Sequence, residues 1–283
     1  MKPLVPLAAG VLLLAAAGCG GSSSVNTPTV APAATYSIVH LQPSGPVVAG
    51  RPVRLSFSIQ QPDGTDLTRF KTGPGPHTGV HLIIVRKDLA YIIHQHPPVG
   101  GRTTITKTVV FPAPGPYRMV VDVYPATAQQ QINANFQLFG WIHVKGVYRP
   151  KPLPRPDAVT TVDGYRFTLT GAGHLKAIDP ALVTVHVTGP AGKAPIFTPW
   201  FGALAHAIFF RKQSLDYFHT HVCSAGVSGC TSVLGGAKVV GRSTTPGKLS
   251  VGVLVPAPGT WRLFLQCKVD GKILTAPFTL HVH

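Results

Sequence analysis

Acidic side chains are scarce in this chain: nine carboxylates stand against 25 Lys and Arg in 283 residues, a formal net charge of +16 at pH 7. They form no evident pair and no nucleophile elbow is recognisable, so acid–base hydrolysis and Ser/His/Asp catalysis have no visible seat and the chain reads as a non-enzyme. Methionine is nearly missing; once a leader is removed Met119 alone remains, which excludes a methionine-rich Cu(I) site. None of the four cysteines falls between residues 36 and 147, so that half cannot build a blue-copper centre, which needs a thiolate beside two histidines. No segment sustains a helical period. What the sequence has instead is 30 Gly and 28 Pro with only 12% charged residues, a composition of many short strands and turns. The positive charge is spread thinly, and no basic stripe interleaved with aromatics is present, which argues against nucleic acid as a partner. Anionic lipid headgroups, anionic envelope polymers or an envelope protein suit such a surface better.

The first eighteen residues place the chain outside the cytoplasm. Met1-Lys2 and an apolar stretch rich in Ala and Leu read as a signal peptide, too short in its uncharged part for a typical membrane span. It ends in Ala16-Ala17-Gly18-Cys19, which resembles the lipobox of bacterial lipoproteins and implies lipidation of Cys19, although Ala16 stands where leucine is usual. An ordinary secretory signal cleaved nearby is the alternative. Residues 19–35 then read as a flexible tether rich in Gly, Ser, Thr and Pro.

One sixteen-residue segment occurs twice without a gap, as HLIIVRKDLAYIIHQH from His81 to His96 and as HAIFFRKQSLDYFHTH from His206 to His221. Six positions are identical, and three of these are histidine. Each copy reads as two strands joined by a short polar turn. In a hairpin symmetric about Asp88 and Leu89, opposed residues sum to 177 and His81 faces His96. Alternation of side chains then puts His94 on the same face, and the same arithmetic groups His206, His219 and His221. A one-residue slip would disperse either group.

The duplication is wider than the hairpin. Phe111-Pro-Ala-Pro-Gly-Pro-Tyr117-Arg118 recurs as Val255-Pro-Ala-Pro-Gly-Thr-Trp261-Arg262, and the copies close on Ile142-His143-Val144 and Leu280-His281-Val282. The spacing of strands and turns predicts two tandem antiparallel β-sandwiches, immunoglobulin-like or cupredoxin-like, over residues 36–147 and 158–283, joined by a proline-rich linker at 148–157. In an oxidising compartment Cys223 and Cys230 form a disulfide by default, closing the Gly/Ser-rich loop between them. The alternative makes Cys223 a soft metal ligand two residues from His221. Cys267 continues an apolar alternation and reads as a core residue. Asp88 and Asp216 read as solvated turn residues.

A histidine opening an apolar strand, a short charged turn, a strand ending in H-x-H, and then F-P-x-P-G-x-Y-R resembles a family of bacterial extracytoplasmic β-sandwich domains described as heavy-metal- or copper-associated. The second copy departs from the pattern, with Val222-Cys223 where the first has Pro97. The resemblance implies an envelope lipoprotein. Neutral imidazole suits Cu(II) and Zn(II), and three on one face leave a coordination position open. Up to one ion per domain is therefore expected, copper before zinc, held by His81, His94 and His96 and by His206, His219 and His221. The competing reading makes the histidines structural, braced by backbone hydrogen bonds in an interaction module of the envelope.

Overall fold

The computed structural model describes residues 35–72, 77–126, 135–224 and 242–283, without the side chains of Cys223 and Ser224. Among the described residues there is no α-helix, and none is long and apolar enough to cross a membrane. The chain folds as two β-sandwiches in tandem. The first contains β1 (Ser37–Gln42), β2 (Val47–Val48), β3 (Pro52–Gln60), β4 (Val80–Arg86), β5 (Ile92–Gln95), β6 (Ile105–Val110), β7 (Gly115–Val123) and β8 (Phe136–Lys145). The second contains β9 (Val159–Val162), β10 (Tyr165–Thr170), β11 (Ala181–Thr188), β12 (Phe197–Thr198), β13 (Ala205–Arg211), β14 (Tyr217–Ser224), β15 (Lys248–Val253), β16 (Gly259–Val269) and β17 (Lys272–Val282).

In the first sandwich a β1-β3-β6 sheet packs on a β2-β8-β7-β4-β5 sheet. Pairing is antiparallel except where β2 runs parallel to β8. Alternation in the sequence builds the core: Leu55, Phe57 and Ile59 of β3 meet Tyr117, Met119, Val121 and Val123 of β7. In the second sandwich β14 pairs with both β13 and β15, and so joins the inner strands to β11, β10 and β9. The P-A-P-G motif acts the same way in both copies. Tyr117 Oη donates to Ala113 O at 2.8 Å and Trp261 Nε1 to Ala257 O at 2.9 Å, so each buried ring satisfies its polar atom on the loop that precedes it. Gly115 in that loop has φ 126°, and a Cβ there would overlap the Tyr148 ring.

The strands β4 and β7 bury their second face as well. Ile83, Val85, Leu89 and Val120 of the first sandwich form one buried cluster with Ile208, Phe210, Leu215 and Phe264 of the second. At about 1.5–3 kcal/mol per fully buried large apolar side chain, eight such residues are comparable to the whole stability of a domain, before the entropic cost of docking. The linker closes one side of this junction. Leu153 packs against the cluster, Lys151 N donates to Asp88 Oδ2 at 2.7 Å and Lys151 Nζ to Tyr91 Oη at 2.9 Å. Asp88 is thus not a solvated turn residue as its position suggests: its side chain is 4% exposed and binds Arg86 at 2.6 Å, because the linker passes over the turn. Asp216, the acidic residue of the second turn, stays 39% exposed.

Candidate metal centre between the sandwiches

Both hairpins take the register that the sequence predicts. Leu82 opposes Gln95 and Ile83 opposes His94, while His206 opposes His221 and Ile208 opposes His219. The His81 and His96 rings stack at 4.0 Å. Neither group faces solvent, however. The histidine faces of the two hairpins meet across the junction, next to the apolar cluster, and form one assembly. His81 lies 5.4 Å from His219 and 5.5 Å from His221 between ring centroids, and His94 lies 4.9 Å from His206. Three groups of imidazoles each offer ligand atoms within 4.8 Å of one another: His81, His94 and His96; His81, His219 and His221; and His94, His206 and His219. Only the first belongs to a single sandwich.

The assembly is pseudo-symmetric, as an isologous interface is. Asp122 and Gln266 occupy one repeat position, five residues after Tyr117 and Trp261, and pair in register with His81 and His206. Each reaches across to the other sandwich. Gln266 Oε1 lies 3.0 Å from His94 Nδ1, and Asp122 Oδ2 lies 3.8 Å from His219 Nδ1 and 4.0 Å from His81 Nδ1. The loops that enter β4 and β13 cap opposite ends: the His77 ring sits 4.8 Å from His221, and Phe201 stacks on His96 at 3.8 Å and 8°. Asp122 is held by Asn135 and Gln137 on Oδ1 and by Tyr217 Oη at 3.5 Å on Oδ2. All nine carboxylates of the chain are aspartates, and this one is fully enclosed.

Burial decides the protonation of the site. It pushes His94, His219 and His221 well below the ordinary imidazole value, with the neighbouring imidazoles adding repulsion, and lowers His96 and His77 as well. His206 is lowered to about 4, burial outweighing its contact with the Trp200 carbonyl at 2.9 Å. These six rings are therefore neutral at pH 7, the form that binds a metal ion. Burial raises Asp122 to about 6 against the hydrogen bonds that favour its charge.

Sequence reasoning missed Asp122, Gln266, His77, Trp200 and Phe201. The signal for the first two was available: a polar residue interrupts the core-facing and interface-facing apolar run in Met119–Tyr124 and again in Leu263–Cys267. His143, His281 and His283 lie away from the cluster, on exposed strand ends. Cys267 is buried and free in the second core, its thiol pushed up to about 12 by burial, as a core residue would be. Cys19 and Cys230, and the side chain of Cys223, fall outside the described residues.

No curated protein matches the chain. Among solved structures it is similar to Escherichia coli alpha-2-macroglobulin, at 13% identity over 89% of this chain and 14% of that one, with a TM-score of 0.28. The E. coli adhesin FdeC follows at 11% identity over 89% of this chain and 65% of that one, with a TM-score of 0.26. Invasin, a bacterial integrin-binding protein, has 12% identity over 88% of this chain and 38% of that one, with a TM-score of 0.24. This chain thus spans less than two thirds of each of these relatives. A family model described as a domain of unknown function (DUF8832) matches residues 34–139 and 160–283, one segment in each sandwich. These segments make up most of the sequence, and the chain belongs to the DUF8832 family.

Proposed function

We propose that the chain is a non-enzymatic protein of the cell envelope, held to the membrane by lipidated Cys19, that binds a divalent transition metal between its two sandwiches. The observation that carries this reading is the set of three overlapping imidazole groups, each with ligand atoms within 4.8 Å of one another. Neutral imidazoles satisfy the borderline ions, and copper comes before zinc because Cu(II) binds such donors more tightly. Two of the three groups take ligands from both sandwiches, so an ion held there ties the sandwiches together. The basic surface would face anionic lipid or envelope polymer.

The test is elemental analysis of the purified protein together with Cu(II) and Zn(II) titration of the chelated protein. Binding is expected, and it should be lost when both H-x-H pairs are replaced by Gln-x-Gln. Unchanged metal uptake in that variant would remove the assignment. A bracing role for the histidines has its own observation in its favour, since His94, His96, His206 and His219 already contact one another, Gln266 or the Trp200 carbonyl at 2.9–3.2 Å. That role predicts folding losses in the same variant and no uptake by the parent chain.

A further inference from the structure

The two halves of the histidine assembly are related by the repeat, but they are not chemically equal. In the half built on His94, His96 and His206 the ring nitrogens answer one another: His94 Nδ1 with Gln266 Oε1 at 3.0 Å, His94 Nε2 with His96 Nε2 at 3.1 Å, and His206 Nε2 with Trp200 O at 2.9 Å. Its outer end is sealed by Phe201, stacked on His96. The other half behaves differently. His221 is 4% exposed, and its Nε2 is buried with no hydrogen-bond partner, as is Nδ1 of His219. A buried nitrogen without a partner carries a desolvation cost that a native structure normally avoids. Here it lies in the half whose repeat position holds a carboxylate, Asp122, in place of Gln266.

We infer, building on the metal-binding reading above, that a single divalent ion is held in the Asp122 half by His81, His219 and His221, with Asp122 as the charge-compensating and positioning residue that sets the preference for a dication. A dication brought out of water into neutral imidazoles alone lacks a counter-charge, and one buried carboxylate supplies half of it at close range. Carboxylates beside ligating histidines also fix ring orientation and raise basicity, and their loss costs about 10–100-fold in affinity. The counterpart set in the Gln266 half, His206, His94 and His96, has no carboxylate beside it and is not one of the groups whose ligand atoms lie within 4.8 Å of one another. Both nitrogens of His94 and His206 and Nε2 of His96 are already engaged there, so that half serves as the support against which the ion-binding half is built.

Competition titration with Cu(II) and with Zn(II), on the full chain, separates the halves. Asp122→Asn keeps the size and a hydrogen bond but removes the charge, and should weaken binding about 10–100-fold. Gln266→Leu, the same position in the other repeat, orients His94 without supplying charge and should lose a smaller factor than Asp122→Asn. Electron paramagnetic resonance of the Cu(II) form supplies a readout of the ion's own surroundings: the hyperfine pattern should shift more in Asp122→Asn than in Gln266→Leu. If Asp122→Asn does not fold, His221→Gln and His96→Gln, the same position in the two repeats, replace it, with His221→Gln expected to lose at least about ten times more affinity. Binding by the parent chain with equal effects in the two halves, or a greater effect of Gln266→Leu, would overturn this assignment and leave the metal reading standing. No binding by the parent chain would overturn both.

Discussion

His94, His96, His206, His219 and His221 are kept neutral by burial, and this makes them sensitive to acid. His206 has a folded value of about 4 against roughly 6.5 in an unfolded chain. Between these values the unfolded state binds more protons, so stability rises with pH through that window and falls as the pH is lowered through it. The stability is fully present above about 6.5 and, for His206 alone, roughly 3 kcal/mol of it is lost by pH 4. The other rings lose theirs in the same direction, since burial lowers them too. The urea midpoint of the metal-free protein should therefore drop steadily from pH 7 to pH 4, and His206→Gln should flatten part of that slope. A midpoint constant over that range would mean that the rings are not enclosed as described.

Among the elements, β4 and β13 do most to position the site, and both are legible in the sequence in one respect only. The pairing of each hairpin follows from its turn and its apolar pattern, and that pairing is enough to group His81 with His94 and His96. That the two histidine faces meet does not follow, because nothing local specifies the docking of one sheet on another. A trace is present. The runs Val80–Val85 and Ala203–Phe210 have almost no polar alternation, and a strand that is apolar on both sides is buried on both sides. Asp122 is hidden for the same reason: its partners His81 and His219 lie on two different sandwiches. The apolar part of the junction can be tested directly. Phe210→Ala opens a cavity where the side chain is fully buried and should cost about 3–5 kcal/mol in urea unfolding, whereas Val110→Ala, at a position 47% exposed, should stay within about 0.5 kcal/mol. Equal effects of the two would argue that the sandwiches do not share a core.

For the whole molecule, the shared core and the shared histidines predict one cooperative unfolding transition in place of two, with metal raising its midpoint by mass action. With the ion at about a hundred times its dissociation constant the gain is about 2.7 kcal/mol, and calorimetry in the presence and absence of chelator would read it. Two separate transitions, only one of them moved by metal, would confine the ion to a single sandwich. The repeat has one more consequence, which concerns parity. In a dimer of identical chains every residue beside the two-fold axis is present an even number of times, so a carboxylate opposite the histidines could only be absent or doubled. Fusion of the two copies in one chain removes that restriction. One copy keeps an acid at the position where the other carries Gln266, and the histidines share a single carboxylate, an arrangement open to a duplicated gene and closed to the symmetric pair from which such a duplication would start.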